Sequence, residues 1–273
     1  MADLSQLHAL ARHMTADAWC DAFVQFAAGG ENPLGLPAFP AAEVQRITNS
    51  QTDAETMRGA ADFYRILDET LADHPAGSGP LLDFGAGWGR ITRLLLRSLP
   101  PEAITACDVD DRLVDAGHAT LPGTDFLQIE SGKALPFPDG SFSTVIANSV
   151  FSHLSEEAHH FYLAEIARIL QPGGLFVGTT LSLRLYQKWL ERDAYRRWIT
   201  DLLGPPDTIM SSLTNGEFVY ASSGRWSNYG IALLPEDYVT QHWTLHFSSI
   251  DTRADYKQDV NLAMKPSEDR RTA

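Results

Sequence analysis

The chain is 273 residues long and 44% hydrophobic, enough for one large α/β domain with additions or for one and a half domains. Its formal net charge of −14 disfavours a nucleic-acid partner, because phosphate binding needs a basic surface that releases counterions. No apolar run reaches the roughly eighteen residues of a membrane span, the segment MADLSQLHALARHM lacks a basic head before an apolar stretch, and Cys20 and Cys107 make no disulfide framework. These features lead to the expectation of a cytoplasmic protein with reduced thiols, no membrane segment and no nucleic-acid partner.

Residues 1–28 predict a helix, with Leu4, Leu7, Leu10, Ala11, Met14, Trp19, Phe23 and Phe26 apolar and Gly29-Gly30 at its end. The stretch ENPLGLPAFPAA (31–42) reads as a proline-rich loop. Residues 53–73 predict a second helix, with Phe63, Tyr64, Ile66, Leu67 and Leu71 apolar, and HPAGSGP (74–80) is a linker.

LLDFGAGWGR (81–90) is the most informative stretch. An apolar strand meets Asp83, then a loop with glycine at every second position, Gly85, Gly87 and Gly89, with Ala86 between the first two. Ile91 to Leu96 then reads as the buried start of a helix. Glycines let the backbone turn sharply and approach a ligand without Cβ clashes, and a helix start offers free N–H groups. The same residues would also serve as a glycine-rich turn of any α/β fold. A dinucleotide fingerprint, G-x-G-x-x-G, is disfavoured, because Arg90 stands where its third glycine belongs.

AITACD (103–108) predicts a second buried strand that ends in Asp108, 19 residues beyond Gly89. Ribose-binding acids sit at this place in nucleotide-binding α/β folds. Asp110 and Asp111 read as caps of the next helix. In LPFPDGSFSTVIANSVFSHL (135–154), Phe142 to Ala147 is a strand, and Ser155 caps a helix to Leu170 with Tyr162, Ile166, Ile169 and Leu170 on one face. RILQPGG (168–174) ends that helix, and Leu175 to Thr180 is the next strand.

Residues 183–234 add an insert. Leu183 to Leu203 predicts a helix dense in aromatics (Tyr186, Trp189, Tyr195, Trp198), broken by GPPDT. Its Arg192, Arg196 and Arg197 read as a solvated face. GEFVYASSGRWSNYG (216–230) is rich in aromatics, serine and glycine. The aromatics either line an acceptor pocket or form the insert's own small core. PEDY (235–238) starts a short helix, and residues 243–250 and 258–264 read as closing strands before the polar end KPSEDRRTA.

Four linked motifs over residues 79–182, namely D-x-G-x-G-x-G, the acid after the second strand, L-P-F-x-D-x-S-F and R-x-L-x-P-G-G, resemble the class I S-adenosylmethionine (SAM)-dependent methyltransferases. The resemblance implies a seven-stranded, mostly parallel Rossmann-like sheet with helices on both faces. It also implies a division into an N-terminal helical cap (1–73), a SAM-binding core (74–182), an acceptor-side insert (183–234), a closing helix and strands (235–265) and a polar tail (266–273). It implies SAM as cofactor, held by Asp83, Gly85, Ala86, Gly87, Gly89, Asp108, Val109, Ser131, Gly132 and Asn148. Two positions depart from the family pattern. Ser131 stands where many members carry an acid near the adenine, with Glu130 beside it, and Ser143 replaces the aspartate of S-F-D.

The expected reaction is methyl transfer from SAM to a small-molecule acceptor, an O-methylation of a sugar, glycoside or natural-product hydroxyl. The sugar reading rests on a loose resemblance of LPAFPAAEVQ (36–45), Tyr229-Gly230 and Gln258-Asp259-Val260 to methyltransferases of glycan and natural-product pathways. N- or C-methylation of another small molecule or a protein is the alternative. A non-catalytic SAM-binding module or an NAD-dependent oxidoreductase is the reading of a different class. His153, just past the fourth strand, is the candidate general base, since its ordinary pKa lies near neutrality; a structural role fits it equally. Ala147-Asn148-Ser149-Val150 is not the motif of enzymes that methylate base or glutamine amines. No histidine or cysteine cluster has metal-ligand spacing, so no metal is expected.

Overall fold

The computed structural model describes residues 3–48, 51–74, 77, 79–226, 229–254 and 256–267. Parts of the 74–80 linker, Ser227-Asn228 of the 216–230 segment and residues 268–273 of the polar tail lie outside them.

In chain order the elements are helices α1 (Leu4–Ala11), α2 (Ala16–Ala27), α3 (Ala42–Thr48) and α4 (Asp53–Asp73), strand β1 (Leu81–Phe84), α5 (Thr92–Leu95), β2 (Ile104–Asp108), α6 (Asp111–Thr120), β3 (Asp125–Gln128), β4 (Phe142–Ala147), α7 (Glu156–Ile169) and β5 (Leu170–Thr180). There follow α8 (Leu183–Leu190), α9 (Asp193–Leu203), α10 (Pro206–Thr214), β6 (Val219–Trp226), β7 (Tyr229–Leu233), α11 (Glu236–Trp243), β8 (Ser249–Arg253) and β9 (Asp259–Met264). Seven strands form one sheet in the order β3-β2-β1-β4-β5-β9-β8, flanked by helices, and β6 pairs with β7 apart from it.

The chain divides into two compact units, residues 1–133 with 142–146, and residues 134–141 with 147–273. In the first, β1, β2, β3 and β4 run parallel, with Asp83 opposite Ala106 on one side and Ile146 on the other. The segments that leave the carboxyl ends of β1 and β2 therefore leave one edge, where open α/β sheets take ligands. Trp19, Cys20 and Phe23 of α2 are buried, as are Met57, Ala60, Ala61, Phe63, Tyr64 and Leu67 of α4. In the second unit β9 runs antiparallel to both β5 and β8. Phe176 of β5 stacks on Trp243 of α11 at 5.1 Å, with Phe151 and Phe247 beside them.

Several elements differ from the reading of the sequence. The helix expected over 1–28 is two helices. Thr15 is extended and its Oγ1 accepts the N–H of Ala18, so it caps a new helix. The apolar spacing runs through the break because each helix buries its own face. The helix expected over 183–203 breaks at residues 191–192, where Arg196 Nε donates to Leu190 O. The helix after the glycine loop is only four residues long. α7 stops at Ile169, and the extended chain begins at Leu170, because Pro172 disfavours helical backbone before it. Residues 206–214 form a helix, and β6 and β7 an antiparallel pair, neither foreseen. The aromatics of the insert divide. Tyr186 is buried in a small core with Leu181, Leu185, Ile199, Ile209, Leu213 and Leu233, whereas Tyr195 and Trp198 are exposed.

Candidate active site

In the first unit the glycine loop is stitched to the end of β2. Gly85 N and Ala86 N both donate to Cys107 O, at 2.9 and 3.0 Å. Gly87 N donates to Asp108 Oδ2 at 2.8 Å. Gly87 and Gly89 have φ of 60° and 81°, in the left-handed region that favours glycine. A Cβ on Gly87 would stand 2.6 Å from Thr48 Cγ2, and one on Gly89 would stand 2.6 Å from Leu121 Cδ1 and 2.8 Å from Phe126 Cζ. Gly89 thus serves the close approach of α6 and β3, and Gly87 serves the turn under Thr48.

Asp83 is buried and accepts the hydroxyl of Thr92 at 2.7 Å, which ties the start of the loop to its end. Burial pushes its carboxyl up to about 6, against the pull of Thr92. Asp108 Oδ1 accepts Asp110 N at 3.0 Å. Burial raises its carboxyl too, while the N–H groups of Asp110, Gly87 and Val109 oppose the rise. Asp110 caps α6 as expected. Val109 is half-buried, and its carbonyl accepts Gln128 Nε2 at 3.5 Å. Ser131 and Gly132 are exposed on the turn after β3, which is held alongside Asp108 by Ile129 N donating to Asp108 O at 3.0 Å. Glu130 shares that turn, donated to by Lys133 N at its carbonyl.

Arg93, read in the sequence only as part of an apolar helix start, is fully buried against this loop. Its guanidinium donates to Gly89 O at 3.0 Å, Ala38 O at 3.2 Å, and Trp88 O and Thr120 Oγ1 at 3.4 Å. It also sits over the rings of Phe39 and Trp88, at 5.0 and 4.6 Å. One cation thereby clamps the loop to residues 38–39. An arginine inside the apolar run 91–96 was the signal available in the sequence. Tyr64 is core, with its hydroxyl bonded to Ser98 at 2.7 Å.

The second unit holds Asn148 and His153. Asn148 follows β4 and is 8% exposed, and neither its Nδ2 nor its Oδ1 has a partner among the described residues. Buried amides without partners are costly, which sets Asn148 apart from the paired polar side chains around it. His153 Nδ1 lies 2.7 Å from Gly230 O. A carbonyl only accepts, so Nδ1 carries the hydrogen and Nε2 presents its lone pair in the neutral ring. Nε2 is 3.4 Å from Ser149 Oγ, and Tyr229 stacks on the ring at 4.8 Å. Burial pushes the imidazole below its ordinary pKa, against the Gly230 carbonyl, which raises it. The ring is therefore neutral near pH 7, the form that takes up a proton.

The structure brings Asp83, Gly85, Ala86, Gly87, Gly89 and Asp108 into one hydrogen-bonded group. Val109 follows that group's acid in the chain, Ser131 and Gly132 stand on the turn tied to it through Ile129 N, and Asn148 lies five residues ahead of His153. Of the other histidines, His159 is fully buried and accepts Trp243 Nε1 at 3.0 Å, and His160 bonds Tyr238 Oη at 2.9 Å. Ser149, Thr179 and Gln258, absent from the sequence reading of the site, are hydrogen-bonded around His153.

Residues 82–178 match the family model described as a methyltransferase domain. A phthiotriol/phenolphthiotriol dimycocerosates methyltransferase of Mycobacterium ulcerans is 32% identical over 50% of this chain and 47% of its own length. A fatty-acid O-methyltransferase of Mycolicibacterium smegmatis is 26% identical over 58% of this chain and 52% of its own. The chain thus spans about half the length of the curated relatives it matches. Among solved structures, the CurJ carbon methyltransferase superposes with a TM-score of 0.55 over 98% of this chain and 72% of that one, at 16% identity, a likeness of fold.

Proposed function

We propose, from the premise that the chain carries a class I SAM-dependent methyltransferase domain, that it methylates an oxygen nucleophile, above all a hydroxyl, on a small lipid or natural-product acceptor. The observation that carries this reading is His153, a neutral imidazole whose Nδ1–H is fixed on Gly230 O and whose Nε2 lone pair faces a hydroxyl. Relatives named for phthiotriol lipids and fatty acids support the class of acceptor. A sugar or glycoside hydroxyl belongs to the same chemistry and rests on the loose likeness of the chain's ends alone.

The residues present fit the cofactor. Gly85, Gly87 and Gly89 give the loop its left-handed course at the carboxyl ends of β1 and β2, where SAM would bind. Asp108 has lone pairs beyond those given to Gly87 and Asp110, and these take the ribose hydroxyls. Asp83 holds the loop closed through Thr92. Val109, Ser131 and Gly132 would hold the adenine end of SAM. The unpartnered Asn148 amide takes a polar group of the bound molecules. SAM when bound supplies a methyl group already activated on a sulfonium, so the protein's share is orientation and proton removal. His153 Nε2 receives the acceptor hydroxyl's proton, and Gly230 O holds the resulting imidazolium by its Nδ1–H.

The test begins with binding. SAM and S-adenosylhomocysteine at about a hundred times Kd should stabilise the protein by roughly 2.7 kcal/mol, and NAD should not. Transfer of labelled methyl from SAM to 1-dodecanol and to dodecanoate then separates the chemistries. His153→Gln should slow transfer to the alcohol about 10²- to 10⁴-fold, the usual worth of a general base. It should spare transfer to the carboxylate, which has no proton to lose. SAM binding without transfer to any acceptor would make this a binding module, and stabilisation by NAD alone would overturn the reading.

A further inference from the structure

Gln258 lies outside every motif that marks the cofactor site, yet its buried amide is the centre of a ring of hydrogen bonds. Ser149 N donates to Thr179 Oγ1 at 2.7 Å, Thr179 Oγ1 donates to Gln258 Oε1, and Gln258 Nε2 donates to Ser149 Oγ at 3.0 Å. The ring has one direction. A backbone N–H and an amide NH₂ only donate, and an amide oxygen only accepts. Thr179 therefore accepts from Ser149 and gives its own hydrogen to Gln258, and Ser149 Oγ accepts from the Gln258 nitrogen.

One hydrogen of the ring is left over, on Ser149 Oγ. Two acceptors stand at 3.4 Å from that oxygen, His153 Nε2 and Ser152 Oγ. Ser149 itself has φ of 62°, a left-handed conformation that a serine adopts only where its surroundings over-determine it. The ring grips this residue at both its backbone N–H and its hydroxyl, which meets that condition.

We infer that Gln258 is a positioning residue for His153, acting through Ser149: its amide turns the Ser149 hydroxyl hydrogen toward the lone pair at His153 Nε2. The catalytic use of this arrangement rests on the reading of His153 as the proton acceptor. In the resting protein the Ser149 hydroxyl fills the place that an acceptor's hydroxyl hydrogen will take. On arrival of the acceptor, a rotation about the Cβ–Oγ bond moves the Ser149 hydrogen to Ser152 Oγ. Nε2 is then free. Around His153 stand the Gly230 carbonyl, the Tyr229 ring and this hydroxyl, and no ionic side chain among the described residues is hydrogen-bonded to it.

The test is the NMR titration of the His153 imidazole in the full chain without ligand, its resonance assigned by its loss in His153→Gln. Gln258→Glu has no donor for Ser149. Its carboxylate accepts from both Thr179 and Ser149, draws the hydroxyl hydrogen away from Nε2 and adds a negative charge. The His153 midpoint should rise by at least one pH unit, a tenfold gain in proton affinity. Ser149→Ala removes the link with no change of charge and should also raise the midpoint, because the neutral ring loses its donor. Thr179→Ser keeps the ring and should titrate as the parent does. A parental midpoint in Ser149→Ala overturns the inference, and that variant decides alone if Gln258→Glu does not fold. Methyl transfer is no part of the readout, so failure of this coupling and failure of the transferase reading are separate results.

Discussion

The carboxylate of Asp108 accepts the backbone N–H of Gly87 at 2.8 Å, so the acid that ends the second strand holds the middle glycine of the loop that ends the first. An acid placed to bind ribose is here also part of the loop's own structure. Asp108→Ala should weaken SAM binding by roughly 1.5–3 kcal/mol, the usual worth of hydrogen bonds to a charged group. Asp108→Asn keeps an acceptor for Gly87 and should lose less. Isothermal titration with SAM measures both, and an unchanged Kd in the alanine variant removes Asp108 from the site.

Gly89 answers to packing as much as to any ligand. Alanine there meets Leu121 and Phe126 below 3 Å at a φ of 81°. Overpacking costs about 1–3 kcal/mol and left-handed strain about as much again, so Gly89→Ala should lose roughly 2–6 kcal/mol of stability. Gly123 is the control, with φ of 95° and nothing within 4 Å of an added Cβ. Gly123→Ala should show the strain alone. Equal losses in urea unfolding would sink the packing argument for Gly89.

The glycine spacing and the strand-end acid were legible because they are local. Each sits within a few residues of a strand whose apolar run announces it, and α4 was legible from end to end for the same reason. Thr15 was not, because α1 and α2 bury faces that happen to continue one apolar period across the break. The β6–β7 hairpin was hidden by its serine and glycine content, which reads as loop until the strands pair. Arg93 was masked by its apolar neighbours, and its partners at residues 38 and 120 are far off in sequence. Gln258 reaches Ser149 across 109 residues, and no periodicity within either segment signals that pairing.

Asp83 gives a pH dependence with a definite sign. Its folded carboxyl is raised to about 6, so the folded state keeps a proton that the unfolded chain releases near pH 4. Stability from this group is present below about pH 4 and falls as pH rises toward 6, by up to roughly 1.4 kcal/mol per unit. Asp83→Asn carries no charge, and its amide oxygen still accepts the Thr92 hydroxyl. The stability of the variant relative to the parent should therefore improve by roughly 2–3 kcal/mol between pH 4 and pH 7. A difference independent of pH, measured by urea unfolding at both values, would refute the buried proton.

His159 slopes the other way. Trp243 Nε1 donates to its Nε2 at 3.0 Å, which holds the ring neutral, and burial, with His160 and His242 nearby, pushes its pKa down to about 3. A base depressed in the folded state contributes stability that is complete above its unfolded pKa, near 6.5, and is lost as pH falls toward 3, again by up to roughly 1.4 kcal/mol per unit. His159→Gln keeps an acceptor for Trp243 and cannot titrate, so its unfolding free energy should gain on the parent's as pH falls from 6.5 to 4.5. Between about pH 4 and 6 the Asp83 and His159 contributions to the parent's slope have opposite signs. Relative to the parent, the profile should tilt upward with pH in Asp83→Asn and downward in His159→Gln, and the double variant should run parallel to the parent. Parallel pH profiles for the two single variants would rule out both titrations, because no other pair of assignments gives slopes of opposite sign from these two sites.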